Sequence, residues 1–234
     1  VMSNTVAGWD GAPQSIYSDH YLTTQPVDGV MGFKLEVAPL HPVFFGANLP
    51  GFGQKQADLF RQFPHANVML ALMRDGFHDQ PVGGKVELRS DGSPLLDYPL
   101  TDYVLDGARR GMLAMAEIQF EAGAKTVYPG HELGTGTSTW AETKKAIEAL
   151  PMKPLLTKIG SAHVMGGCGL AADAQRGVTR PDGVHWQLEN LSIHDGSLFP
   201  TSIGANPQLS IYGNINRLAQ GLAKRLTDKS VSLV

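Results

Sequence analysis

The chain has 234 residues, 42% of them apolar and only 18% charged, with 19 basic and 22 acidic side chains giving a formal net charge of -3. That length holds one large domain or two small ones with a sizeable core and excludes a peptide hormone or mini-scaffold, while the near-balanced charge excludes a field strong enough to hold nucleic acid or an anionic membrane surface. The single cysteine, Cys168, excludes an internal disulfide and a cysteine-based zinc site.

In chain order, residues 1–8 carry neither a basic segment nor an apolar one of the kind a leader needs, and the stretch that follows reads as loop. No run approaches the ~18 apolar residues that span a bilayer. A soluble protein is expected, in the cytoplasm rather than secreted, and the chain is expected to start in the middle of something larger. Residues 30–38 alternate Phe33, Leu35 and Val37 with Lys34 and Glu36, which predicts a strand with Lys34 and Glu36 on its wet face. The Gly- and Pro-rich stretch 40–54 reads as a loop with apolar content, and residues 57–63 as a short helix that Pro64 ends. Residues 67–74 and 85–89 read as further strands, antiparallel because the gaps between them are too short for helical crossovers.

A long helix is expected from Thr101 or Asp102 to Gly123, with Asp106 and Arg110 one turn apart and an apolar stripe wide enough to be covered on more than one side. Residues 125–128 suggest a short strand. Thr139 and Glu142 form a T-x-x-E capping box that opens a second helix ended by Pro151. The last third changes character: a glycine-rich loop at 166–169, a turn at Pro181-Asp182-Gly183, a strand over 191–194 ending in Asp195-Gly196, and a terminal amphipathic helix. In that helix Ile211, Ile215, Leu218, Leu222 and Leu226 share a face, Asn206 suits the N-cap and Pro207 the first helical position. These elements predict an α+β fold, an antiparallel sheet with packed helices, and a domain boundary near Gly160.

Self-contained catalytic signatures are missing. There is no G-x-S-x-G elbow to support a serine hydrolase, no phosphate loop, and His131-Glu132 lacks the partner histidine of H-E-x-x-H. The eight histidines show no metal-ligand spacing, so no metal centre is expected. The run 134–139, GTGTST, has threonine where a dinucleotide loop needs its third glycine and reads as an ordinary loop.

The informative stretches are 161–170, SAHVMGGCGL, and 190–209, NLSIHDGSLFPTSIGANPQL. A histidine before a glycine-rich turn with cysteine, a strand ending in Asp-Gly-Ser, and a G-x-N-P segment opening the last helix stand here in order. Together they resemble the C-terminal signature of the glucose–methanol–choline family of flavin-dependent alcohol oxidoreductases, in wording nearest its cholesterol oxidase and long-chain alcohol oxidase branch. The detailed resemblance covers residues 161–226.

The resemblance implies an FAD enzyme that oxidises the CH–OH group of an alcohol or sterol-like substrate. His163 would be the base that takes the hydroxyl proton, a task an imidazole suits, and Asn206 its carboxamide partner. It also implies FAD contacts at Asp195, Gly196, Asn206, Pro207, Gln208 and Leu209, through backbone at the Asp195-Gly196 turn and through free N–H groups at the start of the terminal helix. Residues 1–160 would then be a substrate-binding domain and 161–234 the C-terminal part of an FAD-binding α/β domain. The family's G-x-G-x-x-G fingerprint for the ADP half of FAD is absent from these residues, so the partner expected beside the alcohol is an N-terminal FAD-binding portion of the same enzyme. The competing expectation is a non-catalytic module that encloses an apolar ligand. The alcohol and the electron acceptor are not legible.

Overall fold

The computed structural model describes residues 1–2, 15–79 and 83–230; the loop-like opening stretch 3–14 lies outside them. The fold is α+β. By contacts between its residues the chain divides into two compact units, Val1–Arg74 with His78–Ile159, and Asp75–Phe77 with Gly160–Val234.

The first unit is built on a three-stranded antiparallel sheet in the order β1 (Tyr17–Ser18), β2 (Phe33–Val37), β3 (Met69–Met73). Central β2 pairs Phe33 with Met73 and Val37 with Met69, so the two apolar runs read from sequence zip together along their whole length. Phe33 and Leu35 pack beneath Ala114 of the long helix, with Met69, Ala71 and Met73 around them. The opposite face of β2 departs from the expected wet one: Glu36 is 1% exposed and Lys34 9%, and the two form an ion pair at 3.3 Å with Tyr17 lying over the ammonium. Alternation marks two faces but does not say that the polar one meets water. Here an ion pair lets both side chains be buried.

The stretch read as a loop contains α1 (Pro42–Asn48) and the start of α2 (Gly53–Phe60), so the helix expected over 57–63 begins and ends earlier, and Pro64 sits inside a 3-10 turn (Phe63–His65). Their glycines and prolines hide the period, while Phe45, Phe60 and Phe63 gather side by side to hold the pair. Strands β4 (Lys85–Leu88) and β5 (Pro94–Asp97) make a separate hairpin, exposed throughout. Its turn is fixed by Asp91, whose carboxylate accepts from the Ser93 hydroxyl and N–H; those bonds hold it below the usual carboxylate range.

Helix α3 (Asp102–Glu121) runs as expected, with Gly123 just beyond it at φ +88° and the Asp106–Arg110 pair closed at 2.9 Å. It is covered on two sides. Toward the sheet, a Cβ at Gly111 would stand 2.9 Å from Ala71 Cβ and one at Gly107 2.8 Å from Met31 Sδ. The ~1 kcal/mol that each glycine costs a helix interior is offset by this close approach. On the other side Met112 and Ala116 meet Ile147 of α4 (Trp140–Ala149), which Thr139 caps by accepting from Glu142 N–H. Residues 125–128 contribute only a single bridge, Val127 to Thr137, not a strand.

Arg109 joins the two helices by donating to the carbonyls of Ile147 and Glu148 in the last turn of α4 and of Leu150 at its C-cap, at 2.8, 2.8 and 3.1 Å, which sets a cation on the negative end of the α4 dipole. Arg109→Ala is expected to cost about 2–4 kcal/mol of stability in urea unfolding, with Arg109→Lys recovering only part because an ammonium lacks the fork that reaches three carbonyls.

The second unit has little regular structure besides a 3-10 turn (Gly196–Leu198) and α5 (Gln208–Thr227). Single bridges link Leu170 to Thr179, Thr179 to His185 and Val184 to Ser192, so the strand expected at 191–194 is one bridge long. Helix α5 buries Leu218 against Gly183, whose positive φ of +80° makes the expected turn. The helix begins one residue later than expected, with Pro207 and not Asn206 at the N-cap and no side-chain cap hydrogen bond there.

Candidate active site

The predicted site residues all lie in the second unit, on three segments: the loop after His163, the turn at Asp195-Gly196, and the approach to α5. The first two are joined by backbone hydrogen bonds, Cys168 N–H to the Ser197 carbonyl and Leu170 N–H to the Leu198 carbonyl, both 2.9 Å. The glycine-rich loop turns there through Gly166, which takes φ +88°.

Gly196 ties in the third segment. A Cβ there would stand 3.0 Å from Ile211 Cδ1 and 3.4 Å from the Val164 carbonyl oxygen. Val164 follows His163 directly and Ile211 donates its N–H to the Pro207 carbonyl in the first turn of α5. The neighbours of His163 and of Asn206 therefore meet on either side of one buried glycine.

His163 and Asn206 are themselves half-buried. Asp195 is exposed, and its carboxylate caps the 3-10 turn by accepting from Ser197 N–H at 2.8 Å and from the Ser197 hydroxyl, so what it offers a ligand is backbone. Pro207 is buried. Gln208 and Leu209 are exposed, Leu209 at 83%, and Gln208 donates from Nε2 to the Tyr212 hydroxyl at 2.7 Å. The helical ladder begins at Ile211 N–H, leaving the N–H groups of Gln208, Leu209 and Ser210 outside it at the positive end of a 20-residue helix. That donor set fits the electron-rich edge of a flavin ring. The glycine at 196 is accounted for by Ile211 and Val164.

The residues sequence reasoning passed over are Val164, Pro200, Thr201 and Ile211, which hold the three segments together. Only Ile211 carried a signal, as a member of the apolar stripe of α5. The loop at 134–139 is explained by packing: a Cβ on Gly136 would run into the Tyr128 ring and one on Gly134 would meet the Pro129 carbonyl at 2.8 Å. It borders a cleft of about 700 Å³ in the first unit, lined by none of the predicted site residues. Among the described residues no three metal-ligating side chains gather, and no helix is long and apolar enough to cross a membrane.

A family profile described as GMC oxidoreductase matches residues 80–214, more than half of the chain and all three segments. The chain belongs to the GMC oxidoreductase family. Among its curated GMC relatives, the long-chain-alcohol oxidase FAO4A of Arabidopsis thaliana is 27% identical over 185 residues, covering 76% of this chain and 24% of that protein. The long-chain-alcohol oxidase FAO1 of the same plant is 25% identical over 230 residues, 91% of this chain and 29% of the relative. A cholesterol oxidase of Acinetobacter baumannii is 39% identical over 51 residues, 22% of this chain and 9% of its own. The chain thus spans about a quarter of the length of the long-chain-alcohol oxidases it matches.

Proposed function

We propose that this chain supplies the catalytic edge of an FAD-dependent oxidoreductase that acts on the CH–OH group of an alcohol or sterol-like substrate. In this reading residues 1–160 form the substrate-binding domain and 161–234 the C-terminal part of the FAD-binding domain, and an N-terminal portion of the same enzyme is the partner that grips the rest of the cofactor. The observation that carries the proposal is the meeting of the His163 loop and the first turn of α5 across Gly196.

When bound, FAD supplies the acceptor for the hydride that leaves the carbinol carbon. His163 takes the hydroxyl proton on a ring nitrogen, which needs an unprotonated imidazole within hydrogen-bond reach of the alcohol oxygen. Asn206 donates from its amide NH₂ to that same oxygen and fixes the alcohol for proton removal. The N–H groups of Gln208 and Leu209, with the helix dipole behind them, face developing negative charge and lower its cost. Leu209 and Val164, 83% and 68% exposed, give an apolar surround that suits a hydrocarbon-rich alcohol.

The deciding experiment uses the native-length protein: it should carry flavin absorbance near 450 nm by the usual oxidised-flavin chemistry, at roughly one flavin per chain, and lose that absorbance when an alcohol is added without oxygen. Flavin absorbance that no long-chain, short-chain or sterol alcohol bleaches would turn the reading toward a binding module. The 234-residue polypeptide alone is expected to lose flavin on gel filtration. A yellow, stoichiometric complex of that polypeptide would show that the N-terminal grip is dispensable.

A further inference from the structure

We infer that Gly76 is a positioning residue for the loop that carries Asn206, an inference that rests on the reading of Asn206 as the partner of His163. Residues Asp75–Phe77 group with Gly160–Val234, far from them in sequence. A Cβ on Gly76 would overlap Thr201 Oγ1 outright, stand 2.7 Å from Thr201 Cβ and lie 3.3 Å from Ser202 N. Gly76 is not one of the glycines at positive φ, so its backbone admits any residue. What excludes a side chain there is Thr201 alone.

Pro200 before Thr201 faces the glycine-rich loop, where a Cβ built on Gly166 or Gly169 would reach ordinary contact with it, at 3.6 Å from its carbonyl oxygen and 3.7 Å from its Cα. Ser202 after it accepts the Gly204 N–H on Oγ at 3.2 Å, and both Gly204, held at φ +69°, and Pro207 are buried. Residues 200–207 thus run from beside the glycine-rich loop to buried Gly204 and Pro207, and at Thr201 they meet a glycine whose missing methyl sets how close the chain can come. Through that contact a displacement at Thr201 is carried along five residues to Asn206. For a carboxamide that must hold one substrate oxygen, an error near 1 Å costs ~10²-fold in rate.

The test compares Gly76→Ala, Thr201→Gly and the double variant in the native-length protein, since Thr201→Gly removes both atoms the new methyl would strike. Two readouts are taken. Amide hydrogen exchange over residues 201–206 should quicken ~10-fold or more in Gly76→Ala and return in the double variant to the level of Thr201→Gly, while exchange in α3 stays unchanged. The turnover rate for alcohol-dependent flavin reduction should fall ~10- to 100-fold in Gly76→Ala with KM within about threefold of the parent, and recover in the double variant. Unchanged exchange in Gly76→Ala, or a double variant as loose as the single, overturns the inference. Should Gly76→Ala not fold, a folded double variant supports the assignment and an unfolded one overturns it. If the exchange pattern holds but the unaltered protein reduces no flavin with any alcohol, the functional reading falls and the placement of Gly76 against the Asn206 loop stands.

Discussion

Replacing His163 with asparagine is expected to slow alcohol-dependent bleaching of the flavin by ~10²- to 10⁴-fold, the range a positioned general base supplies, or about 2.7–5.5 kcal/mol of barrier. The substitution is chosen to leave the scaffold alone. His163 sits half-buried in irregular chain, so no helix or strand is interrupted, and asparagine keeps a planar polar group of smaller size at the site. The bonds that hold its loop, Cys168 to Ser197 and Leu170 to Leu198, are made by backbone several residues on and remain. Flavin content and the circular dichroism spectrum should therefore match those of the parent, with the loss falling on the rate constant for reduction measured by anaerobic stopped flow. A variant that reduces its flavin within threefold of the parent rate would remove His163 from the mechanism and leave the proton to water or another group. Asn206→Ala should lose less, ~10- to 10²-fold, because it removes one oriented donor and not the proton acceptor itself.

How much of this was legible before any coordinates depends on whether the signal was local. The runs 30–38 and 67–74 carry their period in consecutive residues, and they pair as β2 and β3 in the expected antiparallel sense, although the stretch between them holds α1 and α2 and is long enough for a crossover. Thr139 with Glu142 and Gly123 marked helix ends at positions where the structure has them, since a cap is decided by three or four neighbouring residues. Helix α1 and the first turn of α2 were hidden because Gly46, Gly51, Gly53, Pro42 and Pro50 raise the loop signal above that of one or two helical turns. The strand expected at 191–194 shrank to one bridge because nothing in its own residues says whether a neighbour runs alongside.

The site divides in the same way. The three motif segments could be read as words in the chain, and their order gave the family. The contacts that join them could not: Gly76 against Thr201, and Val164 and Ile211 around Gly196, connect residues with no periodic or motif relation to each other. A glycine in sequence offers a turn, a hinge or a close approach equally well. Only the neighbours decide, as Gly196 illustrates: a turn residue by its position beside Asp195, it proves to be a packing residue by the atoms that crowd it.

Lys34→Met is expected to cost ~3–5 kcal/mol, whereas Lys34→Met combined with Glu36→Leu should return to within ~1–2 kcal/mol of the parent. The reason lies in the same strand whose polar face was misjudged. Glu36 is 1% exposed on the central strand of its sheet and faces Lys34 at 3.3 Å on the same side of the pleat. Methionine conserves most of the volume of lysine and its apolar stem but removes the charge, so the carboxylate keeps its burial and loses the ammonium that stands 3.3 Å from it. Removing both charges together withdraws the desolvation cost along with the attraction, which is why two substitutions should hurt less than one. Tyr17, whose ring lies 4.2 Å from the ammonium, separates this account from simple loss of packing: Tyr17→Leu should cost only ~1 kcal/mol, since a cation–π contact is lost while the pair survives. Urea unfolding of the three variants followed by circular dichroism gives the order directly. A double variant no more stable than Lys34→Met would mean that the pair is not what this face of β2 is built around.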